Sequence, residues 1–158
     1  IICAAPSKTK LYYKKYINKI EEKNIEIVEN QTYKVLKKSS AALVTSGTAT
    51  LEAALIKSPQ VVCYKSSWIS YQIGKILLKN LKYISLVNLI LNKEIVKELI
   101  QGDLNATNLV EELKSILKKG KRNEMIDSYS ELENLLEKEG ASRETARRIV
   151  NFHLESNS

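Results

Sequence analysis

The first half of the chain alternates short apolar runs with helix-like segments, and this alternation restricts the fold more than any other feature. The apolar runs cover residues 1–5, 25–28, 41–45 and 60–64, with a further short one at 83–86, and the helix-like segments cover residues 8–20, 33–38, 47–56 and 68–79. Strands that are apolar throughout are typical of parallel sheets covered on both faces. The sequence therefore predicts an α/β fold with a Rossmann-like parallel sheet and helices on both faces.

A different pattern follows residue 93. It predicts helices at residues 94–101, 105–118 and 121–139 and a last one at 142–154, with Gly102, Gly120 and Gly140 at the breaks. We therefore expect a helical C-terminal tail beyond the sheet.

Length and charge limit the class of protein and its partners. The chain has 158 residues and a formal net charge of +7, which suits one domain with an anionic partner such as a nucleotide diphosphate, a phospholipid surface or nucleic acid. The basic residues are spread over helices without an RNA-binding aromatic motif or a helix-turn-helix pattern, so we expect no nucleic acid partner.

No run approaches the roughly 20 apolar residues of a membrane span, and the apolar start lacks the basic region of a signal peptide, so we expect a cytosolic protein. Because residue 1 is Ile and the only methionine is Met125, we also expect the chain to be part of a longer protein.

Reactive side chains are few. Cys3 and Cys63 lie in separate apolar runs without the close spacing of a metal or redox pair, so we interpret them as reduced core thiols. His153 lies among apolar residues of the last predicted helix and is interpreted as structural. We interpret the basic cluster Arg143, Arg147 and Arg148 as part of a solvated helix face. We expect neither a metal site nor a cofactor.

A strand, a small polar turn and an apolar helix follow one another at residues 41–56, and the turn consists of Ser46, Gly47 and Thr48. In open α/β sheets, the unpaired N–H groups at such a helix start bind an anion, commonly a phosphate. The small residues allow that anion to approach the backbone. The sequence therefore predicts a nucleotide site at this turn.

Glu52 lies one helical turn further along and has no local partner. A capping box would need a hydroxyl at Ala49, and an i+4 ion pair would need a cation at Ile56. An unpaired carboxylate in a buried helix costs several kcal/mol, on the order of an ion's desolvation. Glu52 therefore needs a partner from outside the helix, either a pair of ligand hydroxyls such as those of a ribose or an Arg or Lys from elsewhere in the fold.

Residues 68–83 are amphipathic and basic, with Lys75, Lys79 and Lys82 near an apolar face. The position in the strand–helix–strand order favours a crossover helix packed on the sheet, and the composition also suits a helix that lies on a bilayer. Both interpretations hold if the outer face of the helix touches a membrane.

Four segments taken together, residues 41–52, 59–65, 83–90 and 94–101, resemble the C-terminal half of the lipid-A-disaccharide synthase family in order and spacing. These are inverting glycosyltransferases of the GT-B type, with two paired Rossmann-like domains. The resemblance implies that residues 1–118 form the UDP-sugar-binding domain without its first strand–helix unit. It further implies that residues 119–158 are C-terminal helices packing on or beyond that domain.

The resemblance also implies an activity. Family members transfer 2,3-diacylglucosamine from its UDP derivative to 2,3-diacylglucosamine 1-phosphate, forming lipid A disaccharide and UDP. They work at the cytoplasmic face of the Gram-negative inner membrane, which makes its anionic surface an expected partner. Their N-terminal domain supplies the acceptor side and the general base, so we expect no catalytic residue in this chain and no turnover by it alone.

Site residues follow from the resemblance by position. Ser46, Gly47 and Thr48 would meet the diphosphate, and Glu52 would bind the ribose hydroxyls. Further family positions that line or support the donor cleft match Asn88, Lys93, Glu98 and Gln101. Lys93 stands where many relatives have Arg, so it keeps the charge but loses bidentate phosphate geometry.

Two alternatives and one structural expectation remain open at this point. The alternatives are a UDP-sugar epimerase of similar architecture and a non-catalytic nucleotide-binding or membrane-docking module. The basic helix and the Asn88 segment favour the transferase over the epimerase. The absent first strand would leave a gap in the sheet, so we expect other polypeptide to fill it, either the N-terminal part of the protein or a second copy through dimerisation or chain exchange.

Overall fold

The computed structural model of the chain describes residues 1–18, 20, 24–45, 47–67 and 82–138. Within these ranges the strands are β1 (Ile2–Cys3), β2 (Ile27–Val28), β3 (Ala42–Thr45), β4 (Gln60–Tyr64) and β5 (Lys97–Ile100). The helices are α1 (Lys10–Ile17), α2 (Thr32–Lys38), α3 (Thr48–Leu55), α4 (Leu86–Leu91), α5 (Ala106–Leu117) and α6 (Lys119–Lys138), with a 3-10 turn at Gln101–Asp103.

The described strands pair in parallel, which confirms the predicted α/β class, and they form two sheets. The larger sheet has the order β3–β4–β5, with Ala42 opposite Gln60 and Val61 opposite Lys97. The smaller sheet joins β1 to β2. Since the strands are parallel, the carboxyl ends of β3, β4 and β5 share one edge, and open α/β sheets bind ligands at that edge.

The central position of β4 in the larger sheet explains why most of its residues are apolar. Val61 and Val62 are consecutive, so their side chains point to opposite faces of the sheet, and both are fully buried. Packing therefore covers both faces of this strand. The core cluster around it also includes Ala54 of α3, Val87 of α4 and Ile116 of α5.

Helix α6 joins the same core through Met125, Tyr129 and Leu132. Burial raises the pKa of Tyr129 far above that of a free tyrosine, and its phenol oxygen lies 3.4 Å from Gln60 Nε2. At the end of α3, Lys57 Nζ lies 2.7 Å from a carboxylate oxygen of Glu133. Helix α6, the first of the C-terminal helices predicted for residues 119–158, thus packs on the sheet core through apolar, polar and ionic contacts.

The helix predicted at residues 94–101 is wrong, because Lys97–Ile100 form strand β5. A short apolar run fits both helical and extended periods, and tertiary contacts decide between them. Here the side-chain oxygen of Asn88 accepts hydrogen bonds from the N–H groups of Ile95 and Val96 at 2.8 and 3.0 Å. These bonds and the pairing with β4 hold the segment extended.

The strand predicted at residues 83–86 is also wrong, because Leu86 begins helix α4. Ser85 is its N-cap, and the serine Oγ accepts a hydrogen bond from Asn88 N at 3.3 Å. Nor does Gly120 separate two helices. The break lies at Lys118, whose backbone is extended, and α6 begins at Lys119.

Several sequence predictions lie outside the described residues. They are the helices at 68–79 and 142–154, Ser46, Gly140, His153 and the cluster Arg143, Arg147 and Arg148. Among the helices that the structure does describe, none has the length and apolar character needed to cross a membrane.

Candidate functional site

The turn after β3 lies at the ligand-binding edge of the larger sheet. Gly47 precedes α3 with φ 134° and ψ −162°, a backbone region that is essentially restricted to glycine. The first helical hydrogen bond runs from Thr50 N to Gly47 O at 3.2 Å, and a glycine cap has no side chain to bind the amides of the first turn. The N–H groups of Thr48 and Ala49 therefore have no partner inside the helix, and the geometry suits an anion at this turn.

Glu52 is half-buried and does find a partner outside its own helix. Hydrogen bonding to the Glu52 carboxylate, followed by the negative charge of Glu52, raises the pKa of the Tyr33 phenol on α2, so the two side chains are neighbours. The sequence predicts ligand hydroxyls, an Arg or a Lys as the partner, and no local spacing points to a tyrosine nineteen positions away. Since a carboxylate can accept about four hydrogen bonds, one phenol leaves room for ligand hydroxyls.

The side chain of Asn88 is fully buried and connects α4 to the start of β5. Besides accepting from two backbone N–H groups before β5, its Nδ2 donates to Val96 O and to Glu98 Oε1, each at 2.8 Å. Every polar atom of the side-chain amide is therefore engaged in holding backbone or Glu98.

Glu98 accepts four hydrogen bonds. Ser85 N at 2.9 Å, Ser85 Oγ at 2.8 Å and Asn88 Nδ2 at 2.8 Å all reach Oε1, and Ile84 N reaches Oε2 at 2.9 Å. The carboxylate thus fixes the turn before α4 against β5. Asn88 and Glu98 were predicted as site residues and Ser85 was not, although a serine three residues before Asn88 is a helix-cap signal.

Gln101 follows β5 and holds the loop that follows β4. Its Oε1 accepts a hydrogen bond from Ser66 N at 3.0 Å, and its Nε2 donates to Ser66 O at 3.2 Å. The side chain therefore pairs with the backbone of Ser66 as a neighbouring strand would. Gln101 itself has φ 52°, an uncommon value for a non-glycine residue. Both loops lie at the same edge of the sheet as Gly47.

Lys93 is exposed and lies between the end of α4 and the start of β5. In a parallel sheet this is the edge opposite the carboxyl ends of the strands. The structure thus brings Asn88 and Glu98 together and places Gln101 at the edge that carries Gly47 and Thr48, but it does not bring Lys93 to that edge.

A cleft of about 320 Å³ beside β5 does not suit a phosphate ligand. Its lining includes Glu98, Asp103, Glu111 and Glu112 but a single cation, Lys97. An anion there would face mostly like charge. In the part of the chain that the structure describes, no group of three or more His, Cys, Asp or Glu side chains is placed to hold a metal ion.

Comparison with known proteins agrees with the fold and the motifs. A family model described as lipid-A-disaccharide synthetase matches residues 3–150. The chain is 45% identical over 123 residues to lipid-A-disaccharide synthases from Francisella tularensis subsp. tularensis (strain WY96-3418) and subsp. novicida (strain U112). Each match covers 78% of this chain and 32% of the relative, so the chain spans about a third of their length. The chain belongs to the lipid-A-disaccharide synthetase family.

Proposed function

We propose that the chain is the donor-binding half of a glycosyltransferase that moves 2,3-diacylglucosamine from its UDP derivative to 2,3-diacylglucosamine 1-phosphate. The products are lipid A disaccharide and UDP, which agrees with the name of the relatives. The observation that carries the proposal is the start of α3, where a glycine in a glycine-only backbone conformation precedes two amides that have no helical partner, one turn before Glu52.

The chemistry of the donor explains why this arrangement suits it. Cleavage of the anomeric bond leaves negative charge on the departing diphosphate, and the amides and dipole at the start of α3 stabilise such charge. In this proposal Ser46, Gly47 and Thr48 meet the diphosphate. Glu52 accepts hydrogen bonds from the ribose hydroxyls, with the Tyr33 phenol occupying one of its other acceptor positions.

The other family positions divide into two groups. Asn88, Glu98 and Gln101 support the cleft by holding backbone. Asn88 and Glu98 bond to each other and to the backbone of Val96 and Ile84, and Gln101 bonds to the backbone of Ser66. Lys93 is not among the direct donor contacts in this proposal, since the chain path puts it at the opposite edge of the sheet.

Residues 1–118 are proposed as the UDP-sugar-binding domain, with residues 119–158 packing on it. The remainder of the protein supplies the acceptor site and the general base, so this chain alone binds donor without turnover. The acylated substrates place the enzyme at the cytoplasmic face of the inner membrane, against its anionic surface. In the absence of that remainder, a homodimer or an exchange of chain segments would complete the sheet.

Calorimetric titration with UDP, UDP-N-acetylglucosamine and ADP tests the donor site. We expect both uridine ligands to bind and ADP to bind more weakly. Glu52→Gln should weaken UDP binding about tenfold or more, because it replaces charge-assisted hydrogen bonds with neutral ones. The matched control is Glu131→Gln, an exposed carboxylate on α6, which should bind UDP as the unaltered chain does.

Equal UDP affinity in the Glu52→Gln and Glu131→Gln variants would contradict the assigned role of Glu52. Turnover assays on a full-length family member distinguish the enzyme classes. Release of UDP with disaccharide formation supports the transferase, whereas isomerisation of the UDP-sugar alone would indicate the epimerase.

A further inference from the structure

Helix α1 presents an exposed face that combines aliphatic, aromatic and basic side chains. This α1 face consists of Lys8, Leu11, Tyr12, Lys15 and Tyr16. Leu11 and Tyr16 are 75% and 53% exposed. The opposite side of the helix, with Tyr13 and Ile17, is the one that is partly covered.

The helix is fixed to the fold through that covered side. The backbone N–H of Ala5, just after β1, donates to the Tyr13 phenol oxygen at 2.9 Å. At the start of the helix, Glu29 Oε1 accepts a hydrogen bond from Lys10 N at 2.8 Å. The α1 face is therefore held outward in a defined orientation.

Lysine ammonium groups lie on the tyrosine rings of this face. Lys8 and Lys15 Nζ are 4.9 and 4.4 Å from the Tyr12 ring centroid, and Lys15 is also 4.9 Å from that of Tyr16. The Tyr12 and Tyr16 rings pack edge to face with centroids 5.5 Å apart. The cations and rings form one continuous patch.

Among charged side chains, the α1 segment carries only positive ones in its own sequence, and the Glu29 carboxylate lies at the start of the helix. The first twenty residues of the sequence contain lysines at positions 8, 10, 14, 15 and 19 and no aspartate or glutamate. The α1 segment is therefore a local concentration of positive charge within a chain of net charge +7.

We propose that the α1 face docks on an anionic phospholipid bilayer, with Lys8 and Lys15 at the headgroups and Leu11 and Tyr16 entering the interface. Lysines next to aliphatic and aromatic side chains are the composition of interfacial helices. Tyrosine suits the headgroup level because its ring is apolar and its hydroxyl is polar. Nucleic acid is the weaker match, because base stacking needs open ring faces and two ammonium groups lie on the Tyr12 ring.

This inference deepens the proposed function, which places acylated substrates at an anionic membrane, by naming the surface that would meet the bilayer. Its test is vesicle cosedimentation of the chain, with phosphatidylcholine vesicles compared with vesicles that also contain phosphatidylglycerol. Binding should require phosphatidylglycerol and should fall as salt is added. The double variant Lys8→Glu/Lys15→Glu should bind at least about tenfold more weakly.

The charge-matched control is Lys118→Glu/Lys119→Glu, two exposed lysines at the junction of α5 and α6, which should lose much less binding. Leu11→Ser/Tyr16→Ser keeps the charge and should still weaken binding. Circular dichroism checks folding, and Lys8→Gln/Lys15→Gln replaces the reversal if that variant unfolds.

Equal binding by the α1 and control charge variants would overturn the inference. So would binding of a single-stranded oligonucleotide at concentrations at which the vesicles do not bind. UDP titration of the same variants keeps the two proposals separate, since a variant that binds UDP normally but not vesicles bears on docking alone.

Discussion

At the scale of single residues, Glu98 joins two segments that are distant in sequence. Its carboxylate is the common acceptor for the turn at Ile84 and Ser85 and for Asn88. Glu98→Gln replaces one acceptor oxygen with an NH₂ group that faces N–H donors. We expect a loss of about 2 kcal/mol in the free energy of unfolding, measured by urea denaturation, and no comparable loss in Glu131→Gln. A change of a few tenths of a kcal/mol in both variants would contradict this role.

Gly47 offers a second test at this scale. At φ 134° an added methyl group meets no neighbour within 4 Å, so any cost of Gly47→Ala comes from the backbone. We expect a loss of about 1 to 3 kcal/mol in the free energy of unfolding. The matched control is Gly120→Ala, which also meets no neighbour but lies in α6 and should gain up to about 1 kcal/mol. Equal effects of the two substitutions would show that adding a side chain at position 47 does not strain the backbone.

At the scale of elements, the helix α6 tests whether the predicted tail belongs to the domain. Leu132 is fully buried against the sheet core, and Leu135, three residues along the same helix, is 38% exposed. Leu132→Ala should lower the free energy of unfolding by about 3 kcal/mol because it leaves a cavity, whereas Leu135→Ala should cost much less. Thermal or urea unfolding of the chain measures both losses in the free energy of unfolding. Equal costs would indicate that α6 does not share the core.

The elements also show what the sequence could and could not predict. β3, β4 and α3 were predictable because each apolar run is bounded by local signals, such as Pro59 before β4 and the small turn before α3. β5 was not, because its extended state depends on Asn88 and on pairing with β4. The Tyr33–Glu52 contact could not be predicted either, because it depends on how α2 and α3 pack.

At the scale of the whole molecule, the described sheets end in four edge strands, β1, β2, β3 and β5, and the edges of β1 and β3 belong to different sheets. Ile2 N and Ala4 N donate to the β2 side, at 2.7 and 2.8 Å, and Ala42 N donates to Pro59 O at 2.8 Å. Since successive N–H groups in a strand alternate in direction, those of Cys3 and Leu43 point to the open edges. Parallel strands are rarely left with such edges, so we propose that another parallel strand lies between β1 and β3 in the complete protein.

Amide hydrogen exchange tests that proposal residue by residue. In the 158-residue chain, the amides of Cys3 and Leu43 should exchange rapidly, because no described strand pairs with them. In the full-length protein the same two amides should be protected, because the added strand would supply carbonyl acceptors. Ala42 is the internal control, since its N–H already bonds to Pro59 O and should change least. Equal exchange of Cys3 and Leu43 in the two proteins would rule out an inserted strand and would leave β1–β2 and β3–β4–β5 as separate sheets.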